Sequence, residues 1–160
     1  MLSILTMRPR TVEPQWRHFA AGFFTCINPK SLSLFTPTTL KALVEGLPEI
    51  DVSGLELVTR YEGGYDQEHP TIRQFWGVVH SWPQEKVRKL LEFVTSSDRL
   101  PAGGVERLVF VVQKNGLGNG RLPSSSTCFG RLLLPEYDGE DDLRKGLETA
   151  MQHSKGFGMP

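Results

Sequence analysis

Leu122-Pro123-Ser124-Ser125-Ser126-Thr127-Cys128-Phe129 is the stretch that decides how this chain reads. A run of hydroxyl side chains leads into a cysteine, and an apolar segment, Phe129 to Leu134, follows until Pro135. The apolar segment reads as a core strand stopped by the proline. A cysteine at a loop–strand junction is exposed and reactive in some folds, whereas one inside a strand is inert packing. Position alone favours packing for Cys128.

Upstream, Asn115 to Gly120 holds three glycines and two asparagines and reads as a flexible turn. It lacks the Lys-Ser/Thr ending of a phosphate loop. Before it, Leu108-Val109-Phe110-Val111-Val112 reads as a buried β-branched strand. Downstream, a helix is expected from about Gly139, with Glu140, Asp141 and Asp142 in a first turn that favours acids. Leu143, Leu147, Ala150 and Met151 make its buried face. Gly146 sits inside it and is expected to weaken it by about 0.5–1 kcal/mol relative to Ala.

Two amphipathic helices are expected further towards the N-terminus. Pro70 opens one, with Ile72, Phe75, Trp76 and Val79 on a single face; Pro83 opens the other, with Val87, Leu90, Leu91 and Val94. The stretch from Ile50 through the Tyr61-Glu62-Gly63-Gly64-Tyr65 turn reads as irregular. Leu47-Pro48-Glu49 is a break and the best boundary in the chain. Ahead of it lie a short helix from Thr36-Pro37 to Gly46 and another carrying Trp16, Phe19, Ala20 and Phe23 on one face.

The 160 residues are 39% hydrophobic and 22% charged, enough for a packed core. Eighteen basic and eighteen acidic residues cancel, so no net field points to nucleic acid or an anionic membrane. No apolar run approaches the roughly 18 residues of a membrane span, and the first residues make no secretory signal. Cys26 and Cys128 are too few for a disulfide framework and lack metal spacing, so no metal or cofactor is expected. Cys26 reads as a small buried hydrophobe. His18, His69, His80 and His153 read as structural or solvated, and Glu140-Asp141-Asp142 as a helix start rather than a metal cluster.

The opening stretch resembles the Leu-Pro-x-(Ser/Ala)-x-Thr-Cys-Phe signature of the HECT ubiquitin ligases. Leu132-Leu133-Leu134-Pro135-Glu136-Tyr137, Tyr61-Glu62-Gly63-Gly64-Tyr65, Ile72-Arg73-Gln74-Phe75-Trp76 and Leu91-Glu92-Phe93-Val94-Thr95 match in order, as does the terminal Gly156-Phe157-Gly158. Gln113-Lys114-Asn115-Gly116 and Lys155-Gly156-Phe157-Gly158-Met159 look most like the branch hijacked by papillomavirus.

The resemblance implies an α+β fold: a catalytic C-lobe of a small mixed sheet packed with helices, preceded by a helical N-lobe remnant. It divides the chain into residues 1–11, unmatched, 12–47, the end of the N-lobe, and 48–160, the C-lobe, with a hinge near Leu47-Pro48-Glu49-Ile50. It places a ubiquitin-accepting nucleophile at Cys128 and a supporting phenylalanine at Phe157. Adjacency adds Thr127 and Ser126 as donors to the thiolate or oxyanion; many members carry histidine at the position of Ser126. The implied partners are ubiquitin, a conjugating enzyme whose docking region is not seen in this chain, and protein substrates, in the cytoplasm or nucleus. Poor loading of Cys128 by a conjugating enzyme is therefore expected of this chain alone. Two other readings are a non-catalytic ubiquitin-binding fragment and, more weakly, a cysteine hydrolase acting on ubiquitin conjugates.

Overall fold

Pro70 and Pro83 start the two helices around which the core is built. In the computed structural model, which describes residues 12–118 and 120–153, the chain divides into two compact units, Met1–Glu45 and Gly46–Pro160. The first contains α1 (Glu13–Cys26), α2 (Pro29–Leu32) and α3 (Pro37–Glu45). Asn28 caps α2 by accepting from the Lys30 amide at 2.9 Å, and Thr36 Oγ1 accepts from the Thr39 amide at 3.1 Å at the start of α3. None of the described residues of this unit is buried. Cys26 is exposed, against the expectation of a buried thiol, because α1 has no buried face.

The second unit contains α4 (Val52–Val58), β1 (Arg60–Glu62), α5 (Pro70–His80), α6 (Gln84–Thr95), β2 (Val111–Leu117), β3 (Ser124–Ser126), β4 (Arg131–Glu136) and α7 (Glu140–His153). The strands form one mixed sheet in the order β1-β2-β4-β3. β1, β2 and β4 run parallel, and β3 lies antiparallel on the outer edge of β4. Val112, Leu132 and Leu134 enter the core beside Ile72, Phe75, Leu90, Leu91, Leu143 and Leu147. Gln113, Arg131 and Leu133, which alternate with them, are half-buried on the opposite face. The α+β class expected from the resemblance is the class observed.

Several sequence expectations shift. β2 begins at Val111 rather than Leu108, because Val111 is the first residue to find a ladder partner, donating to Gly130 O at 2.9 Å. It then runs through Asn115 to Leu117, which had read as loop. β4 begins at Arg131, leaving Phe129 outside it and 67% exposed. Nor does Pro135 stop the strand. The β2–β4 register shifts between Lys114 and Leu117, so Pro135 lies opposite a bulge, where no ladder donor is required. The stretch that read as irregular holds α4, capped by Asp51 accepting from the Ser53 amide at 3.1 Å, and β1.

The segment after Glu45 is bonded into the second unit. Leu47 and Leu100 exchange backbone hydrogen bonds of 2.8 and 3.0 Å. The Gln84 amide side chain donates to Ile50 O at 2.8 Å and accepts from Ile50 N at 3.0 Å. Gly46 takes φ 78°, and a Cβ there would stand 2.5 Å from Leu100 O. A glycine is therefore required at this position.

Candidate active site

Thr127, Cys128 and Phe129 form a one-turn 3-10 helix between β3 and β4. Gly130 ends the turn at φ 56°, ψ 39°, with its amide donating to Thr127 O at 3.2 Å. A Cβ at residue 130 would collide with Val109 O, so the turn is wedged against the backbone leading into β2. The chain cannot enter β4 until the turn is complete, and Cys128 is held clear of the sheet. It is exposed, contrary to the packing that position alone favoured. Phe129 and Val109, 67% and 57% exposed, are apolar neighbours of this turn. α6 packs against the turn and against β3.

Thr127 is exposed in the same turn and Ser126 is half-buried at the end of β3. Their hydroxyls make no hydrogen bond among the described residues, and Thr127 directly precedes Cys128. Phe157 lies outside the described residues, as does the rest of Gly156-Phe157-Gly158.

Among the described residues no imidazole is hydrogen-bonded to Cys128. His69 Nδ1 accepts from the Thr71 amide at 3.2 Å, capping α5, and its Nε2 lies 3.4 Å from Glu136. Glu136 closes β4 and Cys128 precedes it, so about 17 Å of strand separates them at ~3.3 Å per residue. His80 pairs with Glu56 at 2.8 Å. His18 and His153 are exposed on α1 and α7. His69 and His80 are thus, among the described residues, each engaged with partners other than Cys128. Among the described residues no three His, Cys, Asp or Glu side chains converge as a metal site, and no helix is long and apolar enough to cross a membrane.

Two features of the site had no strong signal in the sequence. Gly130 was legible only as a glycine following Thr-Cys-Phe. Tyr137, at the far end of β4, donates its hydroxyl proton to Arg121 O at 2.7 Å and so ties down the segment that leads into β3. Nothing in the sequence marked that contact.

An exposed thiol on a tight turn is open to a large acyl donor. Residues 4–160 match the family model described as HECT-domain (ubiquitin-transferase). The chain belongs to the HECT-domain family. It is 44% identical over 150 residues to the probable E3 ubiquitin-protein ligase HERC4 of Homo sapiens and 41% identical over 151 residues to the probable E3 ubiquitin-protein ligase HUL4 of Eremothecium gossypii. To the E3 ubiquitin-protein ligase HACE1 of Danio rerio it is 40% identical over 156 residues. These matches cover 93–94% of the chain but only 14–18% of the relatives' own length.

Proposed function

We propose that this chain carries ubiquitin as a thioester on Cys128 and passes it to a lysine of a protein substrate. The observation that carries the reading is the exposed Cys128 on its wedged turn, in a chain whose family is described as ubiquitin transferases. In the first step the Cys128 thiolate attacks the carbonyl carbon of a ubiquitin thioester on a conjugating enzyme. A new thioester forms and the conjugating enzyme's cysteine leaves as thiolate. One thioester replaces another, so the exchange is nearly isoenergetic and needs no triad; a thiol is a few per cent ionised at neutral pH and strongly nucleophilic. In the second step a deprotonated lysine amine attacks the Cys128 thioester, the isopeptide bond forms and Cys128 leaves. Placement supplies much of the rate of that step.

Thr127 has the supporting role of donating its hydroxyl proton to the tetrahedral oxyanion, and Phe157 that of positioning the loaded lobe. Residues 12–47 belong to the end of an N-lobe and the C-lobe follows, a reading supported by the division of compact units next to Gly46. Membership of the papillomavirus-hijacked branch rests on Gln113-Lys114-Asn115-Gly116 and the terminal Gly-Phe-Gly-Met. The partners are ubiquitin, a conjugating enzyme and protein substrates rather than nucleic acid or membrane, and the compartment is cytoplasm or nucleus.

A non-reducing gel after incubation with activating enzyme, conjugating enzyme and ubiquitin tests the reading. A thiol-sensitive band is expected from the wild type and from Cys26→Ala, and none from Cys128→Ala. Discharge of the band to lysine is expected to slow in Thr127→Val; unchanged formation and discharge in that variant would remove Thr127 from the site. A band that persists in Cys128→Ala rules out Cys128 as the acceptor.

A further inference from the structure

β3 is three residues long, all serine, and lies on the edge of the sheet. It has no apolar alternation to distinguish one pairing with β4 from the next. Polar, short strands are weakly specified in register, and a slip of one residue turns every side chain to the other face. From the end of β2 the chain reaches β3 through Gly118 and Gly120, the latter at φ 75°. A glycine-rich connection of this kind imposes little direction. Yet the register is Ser124↔Leu133, Ser125↔Leu132 and Ser126↔Arg131, and the turn bearing Cys128 starts at the next residue. Some contact outside β3 has to select this pairing.

Tyr137 supplies such a contact, beside the packing of α6 against β3. It is 8% exposed, and its hydroxyl meets Arg121 O at 2.7 Å, three residues ahead of Ser124. Its ring is confined by two glycines. A Cβ on Gly118 would lie 2.6 Å from Cδ1, and one on Gly146 of α7 would lie 2.5 Å from the hydroxyl oxygen. The ring therefore cannot move without displacing the loop on one side or the helix on the other. Two further bonds tie the loop to the same place: Gly118 N to Glu136 O at 2.7 Å and Arg121 N to Gly118 O at 3.0 Å. At the other end, Gly130 is wedged on Val109 O. Cys128 lies between these two anchors.

We propose that Tyr137 is a positioning residue for Cys128: its hydroxyl, held between Gly118 and Gly146, fixes Arg121 and with it the register of β3, so that the thiol is presented in one orientation to a large acyl donor. The inference rests on Cys128 being the ubiquitin acceptor. A small reagent approaches an exposed thiol from many directions and is indifferent to this orientation. A ubiquitin C-terminus is not, because the folded domain behind it restricts its approach.

The test uses the full chain and two electrophiles: ubiquitin bearing a C-terminal vinyl sulfone, and iodoacetamide. Both alkylate Cys128, and all chains compared carry Cys26→Ala so that the other exposed thiol does not react. In Tyr137→Phe the ring remains and the donor is lost. Its rate with ubiquitin vinyl sulfone is expected to fall about fivefold or more, a factor of the size one hydrogen bond controls, while its rate with iodoacetamide at Cys128 stays at the wild-type value. Amide exchange in β3 is expected to accelerate with α5 and α6 unchanged. Gly146→Ala, which crowds the hydroxyl without removing it, provides a second variant with a smaller drop in the same ratio of rates. A merely structural role for Tyr137 would change thermal stability and leave the ratio untouched. Wild-type ratios and wild-type β3 exchange in both variants overturn the proposal. A wild-type chain that reacts with iodoacetamide but not with the ubiquitin probe overturns the acceptor reading instead.

Discussion

Glu136 lies at the end of β4 between Lys114 and His69. Lys114 Nζ is 2.5 Å from one carboxylate oxygen and His69 Nε2 is 3.4 Å from the other. The hydrogen bond from Lys114, with smaller help from the charges of Lys114 and His69, holds the Glu136 carboxyl below the ordinary glutamate range. Such a group binds fewer protons folded than unfolded, so stability rises with pH where it titrates. Its contribution is complete above the unfolded value of about 4.3 and is lost as pH falls through the lower folded value. Urea denaturation of wild type and Glu136→Gln at a series of pH values checks this. The wild type is expected to be the more stable at pH 7, with the gap narrowing as pH falls below about 4.3; a gap that is constant down to pH 3 contradicts it. Burial governs Tyr65 differently. Its hydroxyl donates to Leu134 O at 3.1 Å, and desolvation pushes its ionisation well above the usual phenol range, so it stays neutral and serves as a structural donor.

Between elements, the contacts that matter most join side chains to backbone. Gln84, the first residue of α6, holds Ile50 by donor and acceptor together, as a neighbouring strand would. Ile50 is 2% exposed and has no strand partner of its own. Each such bond contributes about 0.5–1.5 kcal/mol, so Gln84→Ala is expected to lower the free energy of unfolding by about 1–3 kcal/mol. Urea titration with an unchanged m-value would show it, and a loss under about 0.5 kcal/mol would count against the clamp. With Leu47 paired to Leu100, this clamp makes the stretch expected to act as a hinge part of the second unit's bonded framework. Gly146, which propensity counts against α7, has a packing role there. The residue is buried beneath Tyr137, and the absence of a side chain makes room for the tyrosine hydroxyl. Its helix penalty is thus set against a packing requirement visible only in three dimensions.

At the scale of the whole chain, the core belongs to the second unit. Every buried residue among those described lies at Ile50 or later. Helices without a buried face open at low free energy, whereas core elements exchange only on global unfolding. In native-state hydrogen exchange, the amides of α1 and α3 are accordingly expected to exchange orders of magnitude faster than those of α5, α6 and β4. Equal protection in both sets would show that α1 and α3 are stabilised by burial after all. The sequence by itself determined which helices build the core, since Ile72, Phe75, Trp76 and Val79, and likewise Val87, Leu90, Leu91 and Val94, repeat at helical spacing and are all buried. It also determined the family, through ordered motifs that end in Thr127-Cys128-Phe129. Periodicity works there because one amphipathic face reports burial locally. Strand ends, the all-serine β3 and the exposure of Cys128 were decided only by the tertiary structure. A three-residue edge strand has no period of its own, and its pairing depends on β4, on the glycine wedge at Val109 and on Tyr137. Those contacts join residues separated along the chain, and no local pattern encodes them.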